Sequence, residues 1–174
     1  MILNVVRAVA AAAAAVWLGT LLIMGAVVAP TTFGMMRESG IANPNTVAGH
    51  IMAKNFAKAD RIELACAAVV VAWQIVSMLI GPRARRDWFR LILIVVAAAL
   101  VLYLATLTPK IADFQPALSS ARPDVEVRAA FQQFHKAAVR VAQVELFLVL
   151  VLVMEMALPT RRATTSPSTA KPGP

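Results

Sequence analysis

Four ionisable residues stand where a charge is hardest to place. Glu145 comes soon after Arg140 and is followed by residues 146–154, which carry no polar side chain. Glu63 stands just past Arg61, at the head of a second apolar run. Charge beside hydrocarbon is costly, so such residues mark proton or solute pathways, or pairs that lock helices together. Arg61, Glu63, Arg140 and Glu145 are therefore read as one polar cluster between two helices. At ~100° per residue, Arg140 and Glu145 stand about 140° apart on a helix, so each needs a partner elsewhere. The plainer alternative is that the cluster only braces the bundle, or that its long side chains reach up to the headgroups.

Other polar residues carry weaker signals. Gln74 and Thr20 each fall mid-way along an apolar run. A hydrogen bond between them satisfies both and is worth roughly 0.6–2 kcal/mol in a membrane. His50 and His135 are the only histidines. Two axial histidines in a helical bundle suit a b-type haem, and Met24, Met35, Met36 and Met52 suit Cu(I). The depths argue against haem, because His135 lies just above the last apolar run and His50 several turns above the second. Methionine is more often flexible filler. The single cysteine, Cys66, excludes an internal disulfide, a Cys-x-x-Cys redox pair and a thiolate metal cage. No phosphate loop, nucleophile elbow, metalloprotease helix or paired-carboxylate site appears. The expectation is a non-enzyme with no catalytic residue, no cofactor and no metal.

The elements that position these residues are apolar runs at 8–29, 64–81, 91–108 and 141–158. About 20 apolar residues in a helix cross a hydrocarbon core of ~30 Å. Lipid offers no partner to backbone amides, so the spans are helices. The expected fold is all-α: a polytopic membrane protein whose four transmembrane helices form a bundle in residues 1–160. Hydrophobic residues make up 60% of the chain, above the ~45–50% of soluble domains. The net charge of +8 raises the question of nucleic acid, but no basic stripe with interleaved aromatics appears. The basic residues gather at span ends and in short loops, where they meet anionic lipid. The partners expected are the lipid bilayer and a further copy of the chain or another membrane protein, not nucleic acid.

Breakers set the expected ends. Span 1 ends at Pro30, and residues 31–43 form a loop with Gly34 and Gly40. Thr46 caps a helix that runs without a breaker to residue 80, with His50, Lys54, Lys58 and Arg61 as a polar stripe. Span 3 ends at Pro109, and residues 110–122 form a loop containing Pro116. Pro123, Asp124 and Glu126 open the last helix, over 124–157. The second and fourth spanning helices thus extend beyond the bilayer. The spacing Ala15-x-x-x-Gly19 is one that lets helices approach closely. Residues 161–174, rich in Ser, Thr, Pro and Lys, read as a disordered basic tail.

The short linker between spans 2 and 3 holds Arg83, Arg85, Arg86 and Arg90 against only Asp87. Short Arg-rich loops stay in the cytoplasm. Both termini are therefore expected there, in an inner or plasma membrane. Span 1 has the outline of a signal peptide, yet its apolar run exceeds the ~7–15 residues of a signal core, so a retained helix is expected.

Several short stretches resemble one family. They are Trp17-Leu18-Gly19, Val28-Ala29-Pro30 with Phe33 after it, Ala48-Gly49 with Phe56, Pro109, and Phe134-His135-Lys136 before the last span. Together they are similar to the small four-helix membrane proteins related to transmembrane protein 205, a bacterial domain of unknown function. The resemblance implies four membrane helices. It implies no catalytic residue, substrate or cofactor, and marks Trp17, Gly19, Pro30, Phe33 and His135 without assigning them roles. The reading that follows is an accessory, scaffold or self-associating membrane bundle. A small transporter or exporter that uses Glu145 is the second reading. A haem or copper redox protein that uses His50 and His135 is the third.

Overall fold

The computed structural model describes residues 2–80, 85–118, 120 and 124–158. Among them every regular element is helical. In chain order these are α1 (Ile2–Ile23), a π-helical turn (Met24–Val28), α2 (Ala29–Glu38), α3 (Pro44–Ile80), α4 (Arg85–Asp113), α5 (Gln115–Leu118) and α6 (Val125–Ala157). Four rods are long and apolar enough to cross a bilayer: α1 with its continuation through α2, α3, α4 with α5, and α6. They pack as a square in which α1 and α4 each touch both α3 and α6. This is a four-helix membrane bundle.

Its packing is that of a molecule dissolved in lipid. The buried positions hold many small residues, among them Ala10, Ala14, Ala67 and Ala97. Large apolar side chains such as Val9, Ile75, Leu79, Ile92 and Phe147 face outward. Hydrocarbon is as apolar as leucine, so burying large residues gains little, and small ones let the backbones approach.

α6 starts where its sequence dictates, while α3 starts at Pro44, two residues ahead of the expected Thr46 cap. Asp124 caps α6, its side chain accepting from Glu126 N–H at 3.0 Å, which satisfies one orphan amide of the first turn. The chain before α3 turns through Gly40 and Asn43, both with positive φ. His50, Lys54, Lys58 and Arg61 lie along the exposed side of α3, and Ala48, Met52 and Ala59 along its buried side.

Two prolines do not end their helices. Pro30 lies in the first turn of α2, which continues the rod of α1 to Glu38. The expected loop at 31–43 therefore shrinks to residues 39–43. The device is the π turn: Ala29 N–H bonds Met24 O, five residues back. This wider turn shifts the ladder just before the residue that has no N–H to give. Pro109 likewise sits inside α4, which runs on to Asp113. Thr108, just before it, donates its hydroxyl to Asp60 Oδ2 of α3 at 2.8 Å, and such packing against a neighbouring helix is what lets a membrane helix carry a proline in its interior. The expected loop at 110–122 contains α5, whose Gln115 is buried against Gly49.

Gln74 and Thr20 do not meet. Gln74 Nε2 donates to Asp87 O at 3.0 Å, and the Thr20 hydroxyl donates to Val16 O one turn back. Ala15 faces outward, and a Cβ added at Gly19 would touch nothing within 4 Å. Among the described residues, the small-residue spacing on α1 therefore makes no close helix contact. Gly81, Pro82, Arg83 and the tail at 161–174 lie outside the described residues.

Candidate functional site

Two polar layers cross the bundle, and apolar packing separates them. The first lies half-way along it. Trp17 is ten residues from Arg7 on α1, and Glu145 is ten from Glu155 on α6. At ~1.5 Å per residue each separation is about 15 Å, half of a ~30 Å hydrocarbon core. Trp17 Nε1–H donates to Glu145 Oε1 at 2.7 Å, and both side chains are fully buried. Glu145 Oε2 is buried without any hydrogen-bond partner. Glu63 on α3 is buried as well and lies within electrostatic range of Glu145 and Asp60. Asp60, one turn further along α3, is buried and accepts from the Thr108 hydroxyl of α4 at 2.8 Å. All four long helices thus contribute a polar side chain to this layer.

Its charge differs from what the sequence leads one to expect. Glu63 and Glu145 come together, but Arg61 and Arg140 are both exposed. The ion pairs among the described residues are Arg86–Glu155 and Arg90–Glu155, at the other end of α6. The angle on the helix explains the separation. Arg61 is two residues from Glu63, about 200° around the axis at ~100° per residue. If the Glu63 side is inside, Arg61 is outside. Asp60 and Glu63, three residues apart, share the buried side that continues through Ala67, Val70 and Gln74. Trp17 continues the buried line of Ala10 and Ala14 on α1. Sequence reasoning singled out Trp17 only by resemblance and passed over Asp60 and Thr108. The three- and four-residue spacing was the signal that could have found them.

The second layer is at the arginine end, where α1, α3 and α6 carry Arg7, Gln74 and Glu155. Arg86 Nε donates to Glu155 Oε2 at 2.7 Å, and both Arg86 and Arg90 donate to Glu155 O, at 3.0 and 2.6 Å. Arg7 reaches Met156 O at 3.3 Å. These cations face the last carbonyls of α6, where the helix dipole favours positive charge. Between the layers, Ala14, Val70, Ile94 and Leu152 form a core that is almost wholly buried.

The remaining singled-out residues are peripheral. Pro30 is exposed and Phe33 half-buried. His135 is exposed and stacks on Phe131, ring centroids 5.7 Å apart and planes 8° apart. His50 is exposed beside Gln115 and Pro116. Met35 faces outward while Met52 faces the core. Among the described residues no three His, Cys, Asp or Glu side chains are grouped to hold a metal ion.

A bundle of four apolar helices with carboxyl groups buried at half-depth defines a multi-pass membrane protein. Residues 12–118 match the family described as Domain of unknown function (DUF4149), and the chain belongs to that family. The match takes in Trp17, Asp60, Glu63 and Thr108 and stops before α6. No curated protein and no solved structure matches the chain.

Proposed function

We propose that this protein is a non-enzymatic accessory or scaffold bundle of an inner or plasma membrane, with both termini in the cytoplasm. One observation carries the reading. The buried core of Ala14, Val70, Ile94 and Leu152 separates the carboxyl layer from the arginine end, so a single chain offers no continuous polar route. The arginines around 85–90 support the orientation, since short basic loops are retained in the cytoplasm. The short stretches around Trp17, Pro30 and His135 support a kinship with the proteins related to transmembrane protein 205. Purification from native membranes in mild detergent tests the accessory role. A stoichiometric membrane partner, or a stable homo-oligomer, is the expected result.

A second reading, a small transporter of protons or small cations, is favoured by Glu63, Glu145 and Asp60. These carboxyls share one buried layer with no basic side chain among their hydrogen-bond partners. Buried carboxyls at membrane depth are the parts from which proton and ion paths are made. Flux across proteoliposomes separates the two readings. Flux above that of empty vesicles, abolished by Glu145→Gln, overturns the accessory role. The haem or copper reading has less support, since His50 and His135 are both exposed. A reduced-minus-oxidised spectrum of the purified protein checks it.

A further inference from the structure

At the arginine end the four long helices line a part-open cavity of about 160 Å³. Its polar wall is Arg7, Gln74, Ser77, Asp87 and Arg90, and its apolar floor is Val70, Ile94 and Leu152. Not all of the donors there are used. Arg90 spends one nitrogen on Glu155 O at 2.6 Å, but its Nε is buried without a hydrogen-bond partner. The nearest Glu155 oxygen is 3.7 Å from that Nε, beyond hydrogen-bond range. Arg7 makes one long contact, 3.3 Å to Met156 O, out of the five N–H donors of a guanidinium. Cations held only to cap a helix would not require a cavity beside them.

The wall sets two positive charges, Arg7 and Arg90, against one negative charge, Asp87, and the adjacent Arg86–Glu155 pair is neutral. That balance suits an occupant with a single negative charge. The size is below the ~300–1,000 Å³ of pockets that enclose whole ligands, so a headgroup enters rather than an entire molecule. The depth fits too. Trp88 and Phe89 are exposed on the turn of α4 that bears Arg90, as aromatic residues are at the headgroup level. Arginine forks match phosphate oxygens in geometry and charge, and basic pockets between membrane helices hold lipid headgroups.

We propose that this cavity binds a phosphate group carrying one negative charge, either the phosphodiester of a membrane lipid or free phosphate, between Arg7 and Arg90. Native mass spectrometry and thermal unfolding of the full chain in detergent test it, with added phosphatidylglycerol, phosphatidylcholine or inorganic phosphate. Lipid adducts and a raised melting temperature with either lipid, but not with inorganic phosphate, identify a phosphodiester ligand. Binding of inorganic phosphate, with displacement of lipid, identifies free phosphate. Arg7→Gln weakens binding by about tenfold or more, the loss of one charged hydrogen bond. Ser77→Leu fills the cavity without touching its charges and also abolishes binding, which keeps the test open if Arg7→Gln does not fold. Arg61→Gln, on the exposed side of α3, leaves binding unchanged. Failure of every phosphate probe overturns the proposal. So does lipid binding that persists undiminished in Ser77→Leu, since the lipid is then held by the apolar belt.

Discussion

Trp17 and Glu145 show what one hydrogen bond does when no water can replace it. Among the described residues the Trp17 indole is the only hydrogen-bond donor to the Glu145 carboxyl, and the second oxygen has none. Trp17→Phe removes the donor, leaving Glu145 buried without a partner, and opens a small cavity where the five-membered ring stood. We expect a loss of about 1–3 kcal/mol in stability, measured as a lower unfolding midpoint in detergent. Glu145→Gln keeps an oxygen to accept from Trp17 and carries no charge, so it should unfold no earlier than the parent. A Trp17→Phe midpoint equal to the parent's would show that neither the bond nor the lost packing contributes. Glu63 and Glu145 were legible in the sequence, because a glutamate among apolar residues is visible without a structure, whereas Asp60, among polar neighbours, was not. Nor were the partners of these acids. Which residue faces Glu145 depends on the rotation of three other helices, and the expected cluster of Arg61, Glu63, Arg140 and Glu145 groups residues by depth without regard to the side of the helix each one faces.

Helix bounds divide along a similar line. The bounds of α6 follow from local chemistry and fall within a residue of the expected 124–157, whereas α3 starts at Pro44, ahead of Thr46, which lies inside the helix rather than capping it. Pro30 and Pro109 misled because a proline removes one N–H without forcing the chain to turn. Whether the helix resumes depends on a π turn in one case and on packing against α3 in the other, where Thr108 bonds Asp60. α5 was illegible, since four residues carry no periodicity and its docking depends on Gly49. A Cβ at Gly49 would lie 2.9 Å from both Gln115 amide atoms. In Gly49→Ala that flexible side-chain end must move aside, while the helix gains about 0.5–1 kcal/mol from losing a glycine. The midpoint should therefore shift little, and amide exchange at 114–118 should quicken. Unchanged exchange there would mean that Gln115 does not hold α5 in place. At the other end Arg86→Gln breaks a part-exposed ion pair with Glu155. It should cost no more than about 1 kcal/mol, because Arg90 still holds the same carbonyl.

For the whole molecule, sidedness is the property most open to measurement. Cys66 is the sole cysteine and is buried, so the parent should be silent to a membrane-impermeant maleimide. Ser120→Cys and Arg85→Cys place single exposed thiols at opposite ends of the bundle. In intact cells only Ser120→Cys should label, and Arg85→Cys only after permeabilisation. The reverse pattern would invert the proposed topology. That the chain is a four-span bundle was legible from composition and run length alone, because hydrocarbon thickness and backbone hydrogen bonding leave few alternatives. The alanines inside and the valines, leucines and phenylalanines outside have a thermodynamic consequence. A soluble domain acquires its large heat-capacity increment when apolar groups emerge into water. If these helices separate within a bilayer, the same groups pass from protein to hydrocarbon and meet no water. Dissociation in lipid should therefore show an enthalpy that barely changes with temperature and no approach to cold denaturation.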